Sequence, residues 1–341
     1  MKLRTVMMFV LAFGVSNFAW ATGEITIKFS HVVAPDTPKG RAAEKFKQLA
    51  EQMTQGKVKV EIYPNSQLYK DREEIEALQS GAVQMLAPSM AKFGPMGARE
   101  FELFDLPFLF PNQEVLHRVM DGDVGRNLFA KLDTKGVTGL AFWDNGFKQM
   151  SSNKPMHLPS DLKGLKMRIQ SSKVLDAQMK ALGANPQVMA FSEVYTALQQ
   201  GVVDGTENPV SNFYTQKMNE VQKHMTMSNH GYLGYAVIVN KAFWAGLSAD
   251  VRNALTQAMN EATAYERDIA QRDNDDALAK VIAAKTTTVY ELTPSERIEW
   301  QKALLPVHKE FESVIGANLI QSVNNTADQY AKEHAAAARK K

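Results

Sequence analysis

Arg168, Asn208, Lys148 and Ser89 share one property: each stands near the end of a strand-like run of sequence. Arg168 belongs to Gly164-Leu-Lys-Met-Arg-Ile-Gln170, where Leu165, Met167 and Ile169 alternate with Lys166 and Arg168. Alternation alone places Lys166 and Arg168 on one face, and charged strand residues usually face water. Their positions along the strand differ, however. In open parallel α/β sheets ligands lie beyond the carboxyl ends of the strands, which favours Arg168 over Lys166. Gln170, Ser171 and Ser172 come next and can open a helix over residues 173–182. The guanidinium is therefore expected beside helix N-terminal N–H groups, a region favourable to anions. Asn208 follows the run 202–206, Ser89 the run 83–87, and Lys148 the strand and turn 140–147. Phe191 precedes Ser192, the expected cap of a helix to Gln200. The chemistry such a set can perform is recognition of a carboxylate, whose two oxygens match the parallel N–H donors of an arginine fork.

Other chemistries lack their residues. The seven histidines (His31, His117, His157, His224, His230, His308, His334) contain no HExxH and no short pair that would place two metal ligands on one helix face. There is no GxSxG elbow, no Walker loop and no GxGxxG, and without cysteine there is no thiol nucleophile. Glu73 and Glu74 lie in a helical stretch and are read as solvent-facing. No metal, cofactor or catalytic constellation is expected.

The elements that must position these residues follow from composition and pattern. A chain of 341 residues, 45% hydrophobic and 22% charged, can form two globular units. Its first 21 residues differ: Lys2 and Arg4 make a basic start, Val6 to Val15 an apolar core, and Ala19-Trp20-Ala21 a small-x-small cleavage pattern. The apolar run of about ten residues is half of what a membrane-spanning helix needs, so it reads as a cleaved secretory signal. Losing Lys2 and Arg4 cancels the formal +2 charge, and nothing points to a nucleic-acid surface. An exported chain without cysteine must hold itself together by core burial. It works where ATP and reduced nicotinamides are scarce, which favours binding over energy-requiring chemistry.

Residues 24–30 read as a strand, 39–53 as a helix and 58–63 as a second strand, a β-α-β opening that predicts a parallel sheet. Ala77-Leu-Gln-Ser-Gly-Ala-Val-Gln84 recurs as Ala197-Leu-Gln-Gln-Gly-Val-Val-Asp204; in both, a helix stops at glycine and a short strand follows. Two similar α/β lobes are expected. Ser248 can cap a helix approaching about 30 residues, about 45 Å long and able to bridge both lobes. Thr293-Pro-Ser-Glu296 is a capping box with proline at the first helical position. The Ala/Lys-rich end from Ala331 is read as a frayed tail.

The segments FWDNGFKQM, GLKMRIQ, MAFSEVYTALQQGVVDGTENP and the long helix after FWAGLS resemble, in order, the solute-binding subunits of TRAP transporters. These are tripartite ATP-independent periplasmic carriers of organic acids, and the resemblance is to the dicarboxylate-binding DctP type. It implies an α/β fold: a two-lobed periplasmic binding protein with hinge strands and a long lobe-spanning helix. The expected division is 1–21 signal peptide, 22–145 plus 234–273 lobe I, 146–233 plus 274–330 lobe II, and 331–341 tail.

By the same resemblance Arg168 forms the bidentate ion pair with the ligand carboxylate, Asn208 fixes that carboxylate and Phe191 lines the pocket. Lys148 supplies a second basic position, with Ser89 and Lys92 on the other lobe's side. Sialic-acid members place an acid where Ser89 stands, and FSHVVAPDTPKG matches the C4-dicarboxylate members better. That makes His31 and Lys39 candidates for a second carboxylate, with Tyr235 a further candidate. The implied function is a periplasmic receptor, monomeric by default, that passes succinate, fumarate or malate to a sodium-driven membrane permease. A sensory receptor of the same fold is one alternative. A secreted enzyme using His31 as base is another, though no partner for His31 is visible.

Overall fold

The computed structural model describes residues 24–338, so the expected signal segment lies outside the described residues. In chain order the elements begin β1 Ile25–Ser30, α1 Pro38–Met53, β2 Val58–Tyr63, α2 Glu74–Gln79, β3 Met85–Leu86, α3 Gln113–Asp121 and α4 Asp123–Asp133. They continue with β4 Val137–Ser152, β5 Lys166–Ile169, α5 Lys173–Ala181, β6 Asn185–Val188, α6 Val194–Gln199, β7 Gly205–Asn208 and α7 Val210–Thr215. The last are β8 His224–Asn240, α8 Lys241–Gly246, α9 Ala249–Ala284, β9 Thr288–Glu291, α10 Pro294–Leu304, α11 Pro306–Ile315 and α12 Ala317–Ala338.

All nine strands join one mixed sheet in the order β2-β1-β3-β8-β4-β7-β5-β6, with β9 beside the first residues of β8. In lobe I, β1 runs parallel to β2 and β3; in lobe II, β5 runs parallel to β6 and β7. The long antiparallel pair β4–β8 belongs to both lobes: one end takes β3 (Leu86 opposite Ile238) and the other takes β7 (Gln149 opposite Asn208). Register shifts between Asp144 and Gly146 and between Lys148 and Met150 fall where the strands cross from one lobe to the other. A bulge adds a residue to one strand and bends it.

The repeated motif closes identically in each lobe. The Ala82 N–H bonds the Ala77 carbonyl at 2.9 Å, and the Val202 N–H bonds the Ala197 carbonyl at 2.9 Å. Gly81 and Gly201 take the left-handed conformation this requires, at φ +81° and +70°. The last motif residue then hooks the adjoining strand: Gln84 Oε1 accepts from the Lys28 N–H at 3.0 Å, and Asp204 Oδ2 from the Lys166 N–H at 2.8 Å.

The long helix exceeds its expected length. α9 spans 36 residues, about 54 Å, begun by the Ser248 hydroxyl accepting from the Val251 N–H. Val251, Leu255, Met259 and Ala262 bury against Phe46 and Trp143 in lobe I, whereas Ala277 and Val281 join the lobe II cluster of Val194, Val210 and Phe213. Each large apolar side chain so buried contributes about 1.5–3 kcal/mol. Glu266 ties the helix to β4, its Oε2 accepting from the Asp144 N–H at 2.9 Å. Burial, and then the charge of Asp144, pushes Glu266 well above the usual carboxylate range.

Two expectations are corrected. The segment from Pro306 does not stay with lobe II alone: Val307, Phe311, Ile315, Ile320 and Val323 pack into a cluster that joins Phe101, Leu116, Leu128 and Phe142 of lobe I to Val174 of α5 in lobe II, because α11 and α12 present one apolar stripe that this cluster covers. The tail from Ala331 is helical to Ala338; alanine has the highest helix propensity, and Arg118 of α3 bonds Glu333 at 2.7 Å.

The equivalence of the two glycines has a measurable consequence. At neither position would an added Cβ meet another atom within 4 Å, so Gly81→Ala and Gly201→Ala should each cost only the left-handed backbone penalty, about 1–2 kcal/mol in urea unfolding. A loss at one position alone would refute the matched roles.

Candidate functional site

Between the lobes lie several cations withdrawn from water. Arg168, third in β5, is 2% exposed. Its Nε and Nη2 donate to the Met189 carbonyl at 3.0 and 2.8 Å, and its guanidinium lies 5.7 Å from the Phe191 ring centroid. Two of its five N–H groups are thus fixed by its own lobe, and Arg168 lines a narrow crevice together with Asp71, Lys92, Gln170 and Ser171. Ser171 and Val188 also line an adjoining pocket of about 450 Å³. Burial draws the guanidinium pKa down, and Asp71 and Glu207 oppose it. No carboxylate lies within 4.0 Å of it among the described residues. Lys166, two residues earlier on the same face, is exposed, as its position along the strand implied.

The expected helix N-terminus is not where Arg168 points. Ser172 caps α5, accepting from the Leu175 N–H at 3.4 Å, but the free N–H of Lys173 goes to Glu102 Oε1 of lobe I at 3.1 Å. Nor does Ser192 cap a helix: residues 191–193 form a single 3₁₀ turn, and α6 starts after it without a side-chain cap.

Two lysines expected to meet a ligand are already matched by the protein's own acids. Lys148 is 1% exposed and bonds Glu207 Oε1 at 2.7 Å, while His230 Nε2 takes Glu207 Oε2 at 2.8 Å. Burial works against the Glu207 charge, but Lys148 and His230 hold its pKa at about 2. Lys148 is also not at a strand end, since β4 passes through the bulge at Gly146 and continues to Ser152. Lys92 pairs with Asp71 and with Glu74, the latter at 2.6 Å. Glu74 is therefore buried, contrary to the solvent-facing reading, whereas Glu73 is exposed. Burial opposes ionisation of Asp71 too, yet Lys92 and Arg168 hold it at about 2.

Lys39 is different. Near the start of α1 and buried, it donates to the Ala87 carbonyl at 2.9 Å and lies 3.7 Å from the Tyr235 ring centroid, with no acid in salt-bridge range among the described residues. Burial, then Lys92, lowers its pKa to about 7. His31 is fully buried with neither ring nitrogen hydrogen-bonded among the described residues, and burial, then Lys39, holds it neutral to about 3. The Tyr235 hydroxyl donates to Asn145 Oδ1 at 3.1 Å and accepts from Asn212 Nδ2 at 3.5 Å, which leaves Asn212 Oδ1 without a partner. Ser89 bridges to Tyr235 through the backbone and starts a turn, its hydroxyl accepting from the Ala91 N–H.

Asn208 ends β7, where its Nδ2 reaches Thr206 Oγ1 at 3.2 Å; Thr206 is the register partner of Arg168, so all three share one sheet face. Phe191 is buried among Val194, Val210 and Phe213, and its N–H donates to Asp71 Oδ2 at 2.6 Å. The site thus gathers Arg168, Phe191 and Asn208 from lobe II against Lys39, Ser89, Lys92 and Tyr235 from lobe I. Sequence reasoning missed Asp71, Asn145, Glu207 and Asn212. Glu207 had a visible signal, adjoining Asn208 in the Glu-Asn-Pro run. A separate groove of about 880 Å³ around Phe108, His117, Phe147 and Tyr330 shares no residue with this set.

Two lobes joined by crossing strands, with a buried guanidinium fork between them, define a solute-binding receptor. The chain belongs to the DctP family, the bacterial extracellular solute-binding proteins of family 7, whose model matches residues 29–314. It is 66% identical over 299 residues to the C4-dicarboxylate-binding periplasmic protein DctP of Rhodobacter capsulatus, covering 88% of this chain and 90% of that one. It is 42% identical to the C4-dicarboxylate-binding protein DctB of Bacillus subtilis, covering 88% and 86%. Among solved structures, a TRAP periplasmic solute-binding protein from Sulfurospirillum deleyianum with bound succinate superimposes with a TM-score of 0.86 at 51% identity, covering 88% of this chain and 98% of that one. A Pseudomonas aeruginosa relative with bound L-malate gives 0.82 at 43%, covering 84% and 99%.

The Lys148–Glu207 pair sets a stability expectation. Glu207→Gln leaves a buried ammonium without its charge partner and should cost about 3–5 kcal/mol in urea unfolding at pH 7. Because the folded pKa of Glu207 is depressed from 4.5 to about 2, its contribution is present above pH 4.5 and is lost as pH falls through about 2. The variant should lack that part of the acid dependence.

Proposed function

We propose that this protein is a periplasmic receptor that closes on a C4-dicarboxylate such as succinate, fumarate or malate and delivers it to a sodium-driven TRAP permease. The observation that carries the reading is the charge arrangement of the cleft. Of the buried cations there, Lys92 and Lys148 are matched by internal acids, and Arg168 and Lys39 are not. Two uncompensated cations facing one cleft suit a dianion. A small diacid has few apolar atoms, so charged hydrogen bonds in a water-excluding space must supply its affinity. In this reading one carboxylate meets the outer Nη edge of Arg168, with Asn208 on the same sheet face and Phe191 behind. The other meets Lys39, with His31, Ser89 and Tyr235 around it. The acids bound by the relatives agree with this size and charge.

An enzymatic role for His31 finds no support, since neither nitrogen has an acidic partner to orient it among the described residues. No helix of the described residues is long and apolar enough to cross a membrane.

Titration calorimetry with a panel of organic acids tests the reading, and failure to bind any mono- or dicarboxylate overturns it. Arg168→Lys keeps the charge but loses the fork, and should weaken succinate binding by about 2 kcal/mol or more. Lys39 adds a pH test. A dianion favours its ammonium form, so binding above pH 7 should take up a proton, and affinity should fall as pH rises from 7 towards 9, by roughly tenfold per unit at most. Calorimetric enthalpies at pH 8 should vary with the buffer's ionisation enthalpy, and Lys39→Met should abolish that variation.

A further inference from the structure

Between β2 and α2, three consecutive residues of lobe I reach across to one short stretch of lobe II. Lys70 Nζ pairs with Glu193 Oε1 at 2.9 Å, Asp71 Oδ2 accepts the Phe191 N–H at 2.6 Å, and Arg72 Nη2 approaches the Val188 carbonyl at 3.5 Å. The same stretch contains Met189, whose carbonyl holds the Arg168 guanidinium through two hydrogen bonds. Residues 188–193 are therefore gripped by Arg168 from their own lobe and by residues 70–72 from the other.

We propose that Lys70, Asp71 and Arg72 form a clasp that couples lobe closure to the setting of Arg168, with Asp71 as the positioning residue of the anion clamp. The proposal rests on the reading of the protein as a closing acid receptor. Because the three residues are contiguous, parting of the lobes breaks their contacts together and releases the Phe191 N–H. Met189 then loses the restraint on its far side, and the guanidinium loses a fixed platform. Asp71 is suited to this place because Lys92 keeps it ionised, and it is the acid that acts most strongly on the Arg168 charge. All three contacts are made between protein atoms, so their free energy favours the closed form whichever acid fills the cleft. A more populated closed form raises affinity for every ligand by one common factor. The clasp sets retention, and the contacts of Arg168 and Lys39 set choice.

The test uses the full mature chain carrying one spin label in each lobe, with succinate and L-malate as probes. Asp71→Asn should shift the inter-lobe distance distribution to longer values in acid-free buffer. It should speed dissociation of both acids by the same factor, about tenfold, the equivalent of one charge-assisted hydrogen bond. Lys70→Glu and Glu193→Lys, both at half-exposed positions, should each speed dissociation by about two- to fivefold, and the double exchange should restore the parent rate. Parent-like distances in Asp71→Asn, different factors for the two acids, or a double exchange no slower than the single variants would overturn the proposal. A purely structural Asp71 would lower unfolding stability without moving the distances. Should neither acid bind the parent protein, the proposed function fails, while the distances still decide the clasp.

Discussion

A positive charge taken out of water has to be met by something, and the way each buried cation of the cleft is met organises this protein. Lys148 and Lys92 are met by Glu207, Asp71 and Glu74, which fasten strand to strand and loop to helix before any solute arrives. Arg168 and Lys39 are met by carbonyl oxygens and aromatic rings, which satisfy their geometry but not their charge. Cations paired with acids and cations without one therefore stand in the same cleft, distinguished by their neighbours.

The scaffold follows from that need. Arg168 comes from lobe II and Lys39 from lobe I, and the two sets of parallel strands lie at opposite ends of one mixed sheet, joined through β4 and β8 and spanned by α9. The register shifts at Asp144 and Lys148 sit at this shared seam.

Local rules made much of this legible in sequence. The β-α-β opening, the glycine stops at Gly81 and Gly201, the Ser248 cap and the Thr293–Glu296 capping box are each decided within a few residues, and the structure has them where the pattern places them. Arg168 and Lys166 were separable by strand position alone. What could not be read was pairing over long separations. Nothing near Lys148 announces that Glu207 will lie opposite it, and nothing near Glu74 announces Lys92 above it, so one lysine looked free and one glutamate looked exposed. The position of α11 and α12 failed for the same reason: an amphipathic stripe states that a helix must be covered, but not by which lobe.

The continuous α9 gives the pair of lobes a mechanical character. A rod of 36 residues, seated by apolar side chains on lobe I at one end and on lobe II at the other, cannot swivel as a loop would. Any change in the angle between the lobes would have to flex it or slide it on its seats, as a leaf spring set along a spine is flexed.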